Sequence, residues 1–304
     1  MSRKRPGRGR LRLLASLLLA ALLLCSPALA DGAADALDAA VGALFEEYDL
    51  SERNFALGFR ALSDGTEYWY NADKLFETAS LYKLPLNMYF YELEATGELS
   101  PEDKVAGIEL SRCHELSLVN SNNEISMAMV DRLGSYAELK RIALGYCGMS
   151  EEEAGPDYYP SVGFTARMMV GILQYLYDRP ETFAEQIALM KTAQPDEYLR
   201  SSSCEYEIAQ KYGAKVYDDG ILNVCIAGIV YTDEPFLVAI YTHGVGGAGE
   251  LMGKICDVLV EYEEERQAPE PSPEPTPEVS PAPGTDLKEL LCLTLRMALR
   301  LAFI

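Results

Sequence analysis

The chain of 304 residues carries 26 Lys and Arg against 47 Asp and Glu, for a formal charge of −21. Its first 30 residues hold six of the basic groups and no acid, so the remainder stands at −27. Such an acidic protein repels nucleic-acid phosphates and anionic membrane surfaces, which excludes nucleic-acid binding. Seven widely spaced cysteines, no Cys-x-x-Cys and only two histidines argue against a metal cluster, and no cofactor is expected.

The basic stretch Arg3 to Arg12, an apolar run from Leu13 to Leu24 and Ser26-Pro27-Ala28-Leu29-Ala30 form the n-region, h-region and A-x-A site of a secretory signal peptide. Residues 1–30 are therefore read as a leader, and the protein as secreted to an extracytoplasmic, bacterial cell-envelope location. The apolar run is short for a membrane span. Cys25 raises a lipoprotein alternative, but Leu24 stands where a lipobox has a small residue. Export permits disulfides; the spacing of the remaining cysteines fixes no pair, and Cys225 and Cys256, within apolar segments, read as buried thiols.

Residues 31–266 suffice for one domain with a substantial core. A helix is expected over residues 34–48. Phe55 to Leu62 and Glu67 to Tyr70 flank Ser63-Asp64-Gly65-Thr66 and read as a hairpin. A helix over 80–95 follows, then loop-like Glu115 to Asn120. Helices are expected at Asn123 to Leu133 and Ser135 to Leu144, punctuated by Gly134 and Gly145, and at Thr165 to Tyr177. Strands return at Glu207 to Val216, Ile221 to Tyr231 and Phe236 to Thr242, and Glu250 to Glu263 closes the domain as a helix. This order predicts an α+β fold whose antiparallel sheet is built from both chain ends around an all-helical middle region. Residues 267–286 are a proline-rich linker, extended and semi-rigid. Residues 287–304 form an apolar tail with Lys288, Glu289, Arg296 and Arg300, readable as an interfacial amphipathic helix or as a segment without fixed structure. Membrane or cell-wall association would run through that tail.

The chemistry begins at Ser80-Leu81-Tyr82-Lys83. Residues three apart share a helix face, so Lys83 is expected to reach the Ser80 hydroxyl. A serine becomes a nucleophile when a neighbouring base takes its proton, and a partly desolvated lysine can be that base. Ser121-Asn122-Asn123, just ahead of a helix, also reads as an N-cap. Lys211-Tyr212-Gly213, in the first C-terminal strand, also reads as an exposed lysine beside a small residue.

Taken together, Ser-x-x-Lys, Ser-x-Asn and Lys-x-Gly in this order resemble the signature of penicillin-recognising serine enzymes, the class A β-lactamases and penicillin-binding proteins. The segments Phe76 to Leu86 and Ser121 to Gly134 are similar to the family around its first two motifs, and the resemblance covers about residues 35 to 265. It implies that Ser80 attacks a β-lactam or a D-Ala-D-Ala-like peptidoglycan stem peptide, with Lys83 accepting its proton. It implies that Ser121 relays a proton to the leaving nitrogen. Asn123 would bind the substrate amide and Lys211 its carboxylate, and the backbone N–H groups of Ser80 and Ala214 would form the oxyanion hole. Gly213 would leave the strand edge bare for an added substrate strand.

Two departures accompany the likeness. Tyr212 replaces the short hydroxyl residue usual in the third motif, so the carboxylate contact it makes must be absent or rearranged. The segment between Gly148 and Thr165 lacks the Glu-x-x-Leu-Asn run that holds the deacylating glutamate, leaving Glu151, Glu152, Glu153 and Asp157 as candidates by location only. The leading expectation is a secreted, class A β-lactamase-like serine hydrolase that forms an acyl-enzyme on Ser80 and hydrolyses β-lactams, with turnover lowered where the deacylating base is missing. The alternatives are a D,D-peptidase of cell-wall peptides and a non-catalytic peptidoglycan-binding module on a proline-rich stalk.

Overall fold

The computed structural model describes residues 26–267. Helix α1 (Ser26–Glu47) leads into strands β1 (Phe55–Ala61), β2 (Glu67–Tyr70) and the two-residue β3 (Phe76–Glu77). A 3-10 turn (Ala79–Tyr82) runs into α2 (Lys83–Thr96), followed by β4 (Lys104–Val105), β5 (Ile108–Glu109) and α3 (Leu110–Leu118). The middle region continues with α4 (Asn123–Leu133), α5 (Tyr136–Cys147), α6 (Glu151–Ala154), β6 (Gly163–Phe164), α7 (Ala166–Tyr177) and α8 (Pro180–Met190). A second 3-10 turn (Tyr198–Ser201) precedes β7 (Glu207–Val216), β8 (Leu222–Tyr231), β9 (Phe236–His243) and α9 (Ala248–Gln267).

The main sheet has the order β2-β1-β9-β8-β7 and is antiparallel throughout, so strands from the two chain ends meet where β1 pairs with β9. The expected α+β architecture is therefore the observed one. Alternation along the central strands sends Phe55, Leu57, Phe59 and Ile240 into a core with α1 and α9, and Ala56, Ala239 and Tyr241 into the core beneath α7. Helix α7 is the centre of that second core: Met168, Met169, Ile172, Leu173 and Leu176 are all buried there. Each such side chain contributes about 1.5–3 kcal/mol through its removal from water. Helix α1 is tied to the sheet by the Tyr68 hydroxyl, which donates to Asp38 Oδ1 at 2.5 Å.

Several elements depart from expectation. Helix α1 already includes Ser26 to Ala30, the residues ahead of the expected cleavage point. Glu115 to Leu118 belong to α3 rather than to a loop. Gly145 lies inside α5, and the helix ends at Gly148, whose φ of 69° makes it the left-handed cap. Pro180 opens α8 instead of merely stopping α7, as proline does at a first helical position. The helix expected from residue 80 begins only at Lys83, because Ala79 takes a φ of 45° and the next residues turn more tightly. The leader before Ser26 and the linker and tail beyond Gln267 lie outside the described residues.

Candidate active site

Ser80 sits in the 3-10 turn that delivers the chain from β3 into α2. A non-glycine residue in the left-handed region is uncommon and costs about 1–3 kcal/mol. Two flank this site: Ala79 (φ 45°), directly before Ser80, and Ser121 itself (φ 52°). Strain of this kind persists only where surrounding contacts impose it, and here the contacts are visible. Edge strand β7 runs against the turn with Gly213 facing it; a Cβ there would stand 2.5 Å from the Thr78 carbonyl oxygen and 2.8 Å from Ser80 N. Gly213 thus makes room for the Ser80 turn. This is a reason for the glycine beyond the expected one, a bare edge for substrate; β7 is the free edge of the main sheet.

Lys83 is fully buried and donates to the Ser121 carbonyl oxygen at 2.6 Å, Asn123 Oδ1 at 2.8 Å and Ser121 Oγ at 3.2 Å. Burial pushes its pKa down to about 8. Lys211, expected on the bland reading to be exposed, is also fully buried and donates to Ser121 Oγ at 3.1 Å and to the Tyr212 carbonyl oxygen at 2.7 Å. Its pKa lies well below the usual lysine value, through burial first and then the charge of Lys83. Ser121 Oγ therefore stands between two amines that resist being charged together. Ser80 is half-buried, and among the described residues its hydroxyl has no hydrogen-bond partner. The expected Lys83–Ser80 contact is not made, because Lys83 is committed to Ser121 and Asn123.

The tripeptide Ser121-Asn122-Asn123 divides its work. Asn122 is the N-cap of α4, its Oδ1 accepting from Ile125 N at 2.9 Å, while its neighbours on both sides face Lys83. Asn123 uses its oxygen on Lys83 and keeps its amide donors unengaged among the described residues. Tyr212 stacks on Tyr198 with ring centroids 5.1 Å apart and an interplanar angle of 15°. The Lys211 ammonium lies 4.0 Å from the centroid of the same Tyr212 ring. That ring, rather than a short hydroxyl, flanks the lysine. Ala214 follows Gly213 on β7 and is exposed.

Sequence reasoning missed a buried polar network behind Lys83. Asn87 Nδ2 donates to the Lys83 carbonyl oxygen (2.6 Å) and Ser117 Oγ (2.9 Å), and Asn87 Oδ1 lies 2.7 Å from His114 Nδ1. Ser117 Oγ pairs with Ser126 Oγ, which donates to the Asn122 carbonyl oxygen at 2.6 Å. The network thus links the helix carrying Lys83 to the loop carrying Ser121. Its only signal was polar residues on apolar helix faces, Asn87 one turn beyond Lys83. A second missed group is Lys140, buried in α5, which donates to the carbonyl oxygens of Tyr158 and Ser161 (2.9 Å to the latter) and anchors the segment before β6.

The acidic candidates of that segment point elsewhere. Glu153 forms the capping box of α6 with Ser150, Glu151 accepts from the Tyr159 hydroxyl at 2.8 Å, and Glu152 and Asp157 are exposed. Among the described residues, no carboxylate hydrogen-bonds Ser80, Lys83 or Ser121. Neither histidine reaches Ser80 by a hydrogen bond either: His114 is held on Asn87, and His243 Nδ1 lies 2.6 Å from Asn223 Oδ1.

Comparison with known proteins follows the same lines. Residues 36–111 match the model of the beta-lactamase enzyme family. No curated protein matches the sequence. Among solved structures, the chain is similar to a β-lactamase from Xanthomonas campestris pv. campestris (TM-score 0.64, 15% identity, 76% of this chain and 98% of that one). It is similar to a β-lactamase from Burkholderia vietnamiensis (TM-score 0.63, 14% identity, 75% and 96%). The TLA-1 extended-spectrum β-lactamase gives a TM-score of 0.64 at 14% identity, over 76% and 99%. The described domain therefore has a class A β-lactamase-like fold, and its residues 36–111 match the beta-lactamase enzyme family.

Proposed function

We propose that the chain is an exported serine hydrolase that forms an acyl-enzyme on Ser80 with β-lactams or D-Ala-D-Ala-like peptides and releases the acyl group slowly. The observation that carries the reading is Ser121 Oγ held at 3.2 Å from Lys83 and 3.1 Å from Lys211, which lies on a strand whose Gly213 packs against the strained Ser80 turn. A lysine whose pKa is near 8 is neutral in a useful fraction of molecules at neutral pH and can take a proton. In the neutral amine two N–H groups keep the Ser121 carbonyl and Asn123, and the lone pair turns to the Ser80 hydroxyl. Ser80 Oγ then attacks the carbonyl carbon as its proton passes to Lys83. The developing oxyanion is received by the backbone N–H groups of Ser80 and Ala214, a reading supported by the close packing of Gly213, the residue before Ala214, against the Ser80 turn. Ser121 passes a proton to the departing nitrogen and is resupplied from the lysine pair. The free Asn123 amide donates to the substrate's acyl side chain, and Lys211 receives its carboxylate end, obstructed by the Tyr212 ring 4.0 Å from the ammonium.

Slow release follows from the acids of residues 151–157, which are exposed or hydrogen-bonded to Ser150 and Tyr159, so that among the described residues no carboxylate hydrogen-bonds Ser80, Lys83 or Ser121. The same observation favours a D,D-peptidase as the second reading. Fluorescent penicillin and a chromogenic cephalosporin test the proposal: labelling that requires Ser80 supports it, and turnover sets the rate of release. Absence of both label and turnover, unchanged in Ser80→Ala, contradicts it. Peptidoglycan binding that survives Ser80→Ala would then identify a non-catalytic module.

A further inference from the structure

The segment before β7 lies along one face of α9 in a way unrelated to the Ser80 site. Three contacts define it. At Gly253 the helix backbone meets Ser201 and Ser202, and a Cβ there would lie 3.0 Å from Ser202 N. At Asp257, Oδ1 accepts from Ser203 N at 2.7 Å and Ser203 Oγ at 3.0 Å. Between them Cys204 packs against the buried cluster that contains Cys256. Positions 253, 256 and 257 are spaced as one helix face requires, so the Cys204–Cys256 contact is fixed on both sides. Farther along, the Tyr206 hydroxyl donates to Glu264 at 2.8 Å.

We propose that Cys204 and Cys256 are a disulfide-forming pair, oxidised by neutral or cationic disulfides that reach Cys204 from the adjoining cleft. The two sulfurs are unequal in the way thiol–disulfide exchange needs. Cys204 is half-exposed, opens on a cleft of about 630 Å³ and also contacts Ser202 Oγ at 3.1 Å. Cys256 is fully buried behind it. Cys204 is the sulfur the cleft exposes and Cys256 is shut off behind it, so Cys204 attacks first; the neighbouring Cys256 thiol also lowers its pKa to about 6, favouring the thiolate. The other described cysteines have different neighbours: Cys113 donates to Val105 and Ile108 carbonyls, Cys147 to Leu144, and Cys225 to Glu77.

The step balances simply. The Cys204 thiolate attacks one sulfur of the incoming disulfide, forming a mixed disulfide and expelling one thiolate. Cys256 then gives up its proton and attacks Cys204 Sγ, expelling the second. Two protein thiols are oxidised by two electrons, and the disulfide is reduced to two thiols. Glu205, Asp257, Glu261 and Glu264 line the cleft, which selects against anionic disulfides. The bond would close a loop containing β7, β8 and β9, and with them Lys211 and Gly213. In an oxidising compartment it would be the resting state.

The test is peptide mapping of the reduced full chain after treatment with cystamine. The proposal expects a Cys204–Cys256 linked peptide, a protein about 2 Da lighter and a melting temperature about 5–15 °C higher. In Cys256→Ser, which has no second thiol, a cysteamine adduct should persist on Cys204. Glutathione disulfide, which is anionic, should react on the order of tenfold more slowly at low salt. Alkylatable Cys204 after cystamine, a lasting adduct on the unaltered chain, or a bridge to another cysteine would overturn the pairing. Equal rates with the two disulfides would overturn the charge selection. Should Cys256→Ser not fold, the map of the unaltered chain still decides the pairing.

Discussion

Gly213→Ala joins the fold and the chemistry in one change. The new Cβ would stand 2.5 Å from the Thr78 carbonyl oxygen and 2.8 Å from Ser80 N, against an ordinary contact of 3.4 Å or more. Both obstructing atoms are backbone, so neither can rotate aside, and β7 and the Ser80 turn must separate by about 0.9 Å. Overpacking on this scale costs about 1–3 kcal/mol. The same displacement moves Ser80 relative to Ala214, and a misplacement near 1 Å lowers a rate about 100-fold. Urea unfolding gives the first quantity, and the second-order rate of penicillin labelling gives the second. Gly145→Ala is the control: it lies in α5 with nothing within 4 Å of an added Cβ, and should stabilise by about 0.5–1 kcal/mol. A Gly213→Ala protein of unchanged stability and labelling rate would refute the account of why this glycine is there.

Further outcomes follow from the lysines and from Tyr212. The labelling rate should rise with pH to a plateau with an apparent pKa about 8, since the proposed mechanism has Lys83 act when neutral; a rate falling through that range would contradict that role. Because the folded pKa of Lys83 lies below the unfolded value of 10.5, the unfolded chain binds more protons between about 8 and 10.5. Lys83 therefore adds a rise in stability with pH across that window, and Lys83→Met should lack that rise in denaturation at pH 7.5 and 10. Tyr212→Thr takes away the ring 4.0 Å from the Lys211 ammonium and restores a short hydroxyl, so acylation by carboxylate-bearing β-lactams should quicken; an equal or lower rate would contradict the ring's obstructive role. Lys140→Met leaves the Tyr158 and Ser161 carbonyls without their donor and should cost about 1–3 kcal/mol by thermal unfolding; an unchanged melting temperature would mean that segment is anchored otherwise.

Much of this was legible in residue order, because local patterns carry the information. Strand β7 has the expected bounds, Glu207 to Val216, and α4 runs from Asn123 to Leu133 as its capping and periodicity indicate. What escaped depends on contacts between distant segments. The Ser80 turn is 3-10 rather than α because β7, over a hundred residues away, presses Gly213 against it, and no propensity of Ala79 encodes a φ of 45°. Lys83 turns to Ser121 and Asn123 instead of Ser80 because the loop before α4 supplies three acceptors at once. The Asn87–His114–Ser117–Ser126 network was invisible because a buried polar residue and an exposed one look alike in sequence. Cysteine spacing held no pairing for the same reason: Cys204 and Cys256 are neighbours only because β7, β8 and β9 fold back between them.

The central claim is a covalent one, and intact-protein mass against time after mixing with a penicillin tests it most directly. The account predicts a shift by the mass of the whole β-lactam, mapped to the peptide containing Ser80, absent in Ser80→Ala and decaying slowly after excess drug is removed. A chain whose mass never changes while the drug is also left intact would contradict it, as would an adduct that maps to any residue other than Ser80.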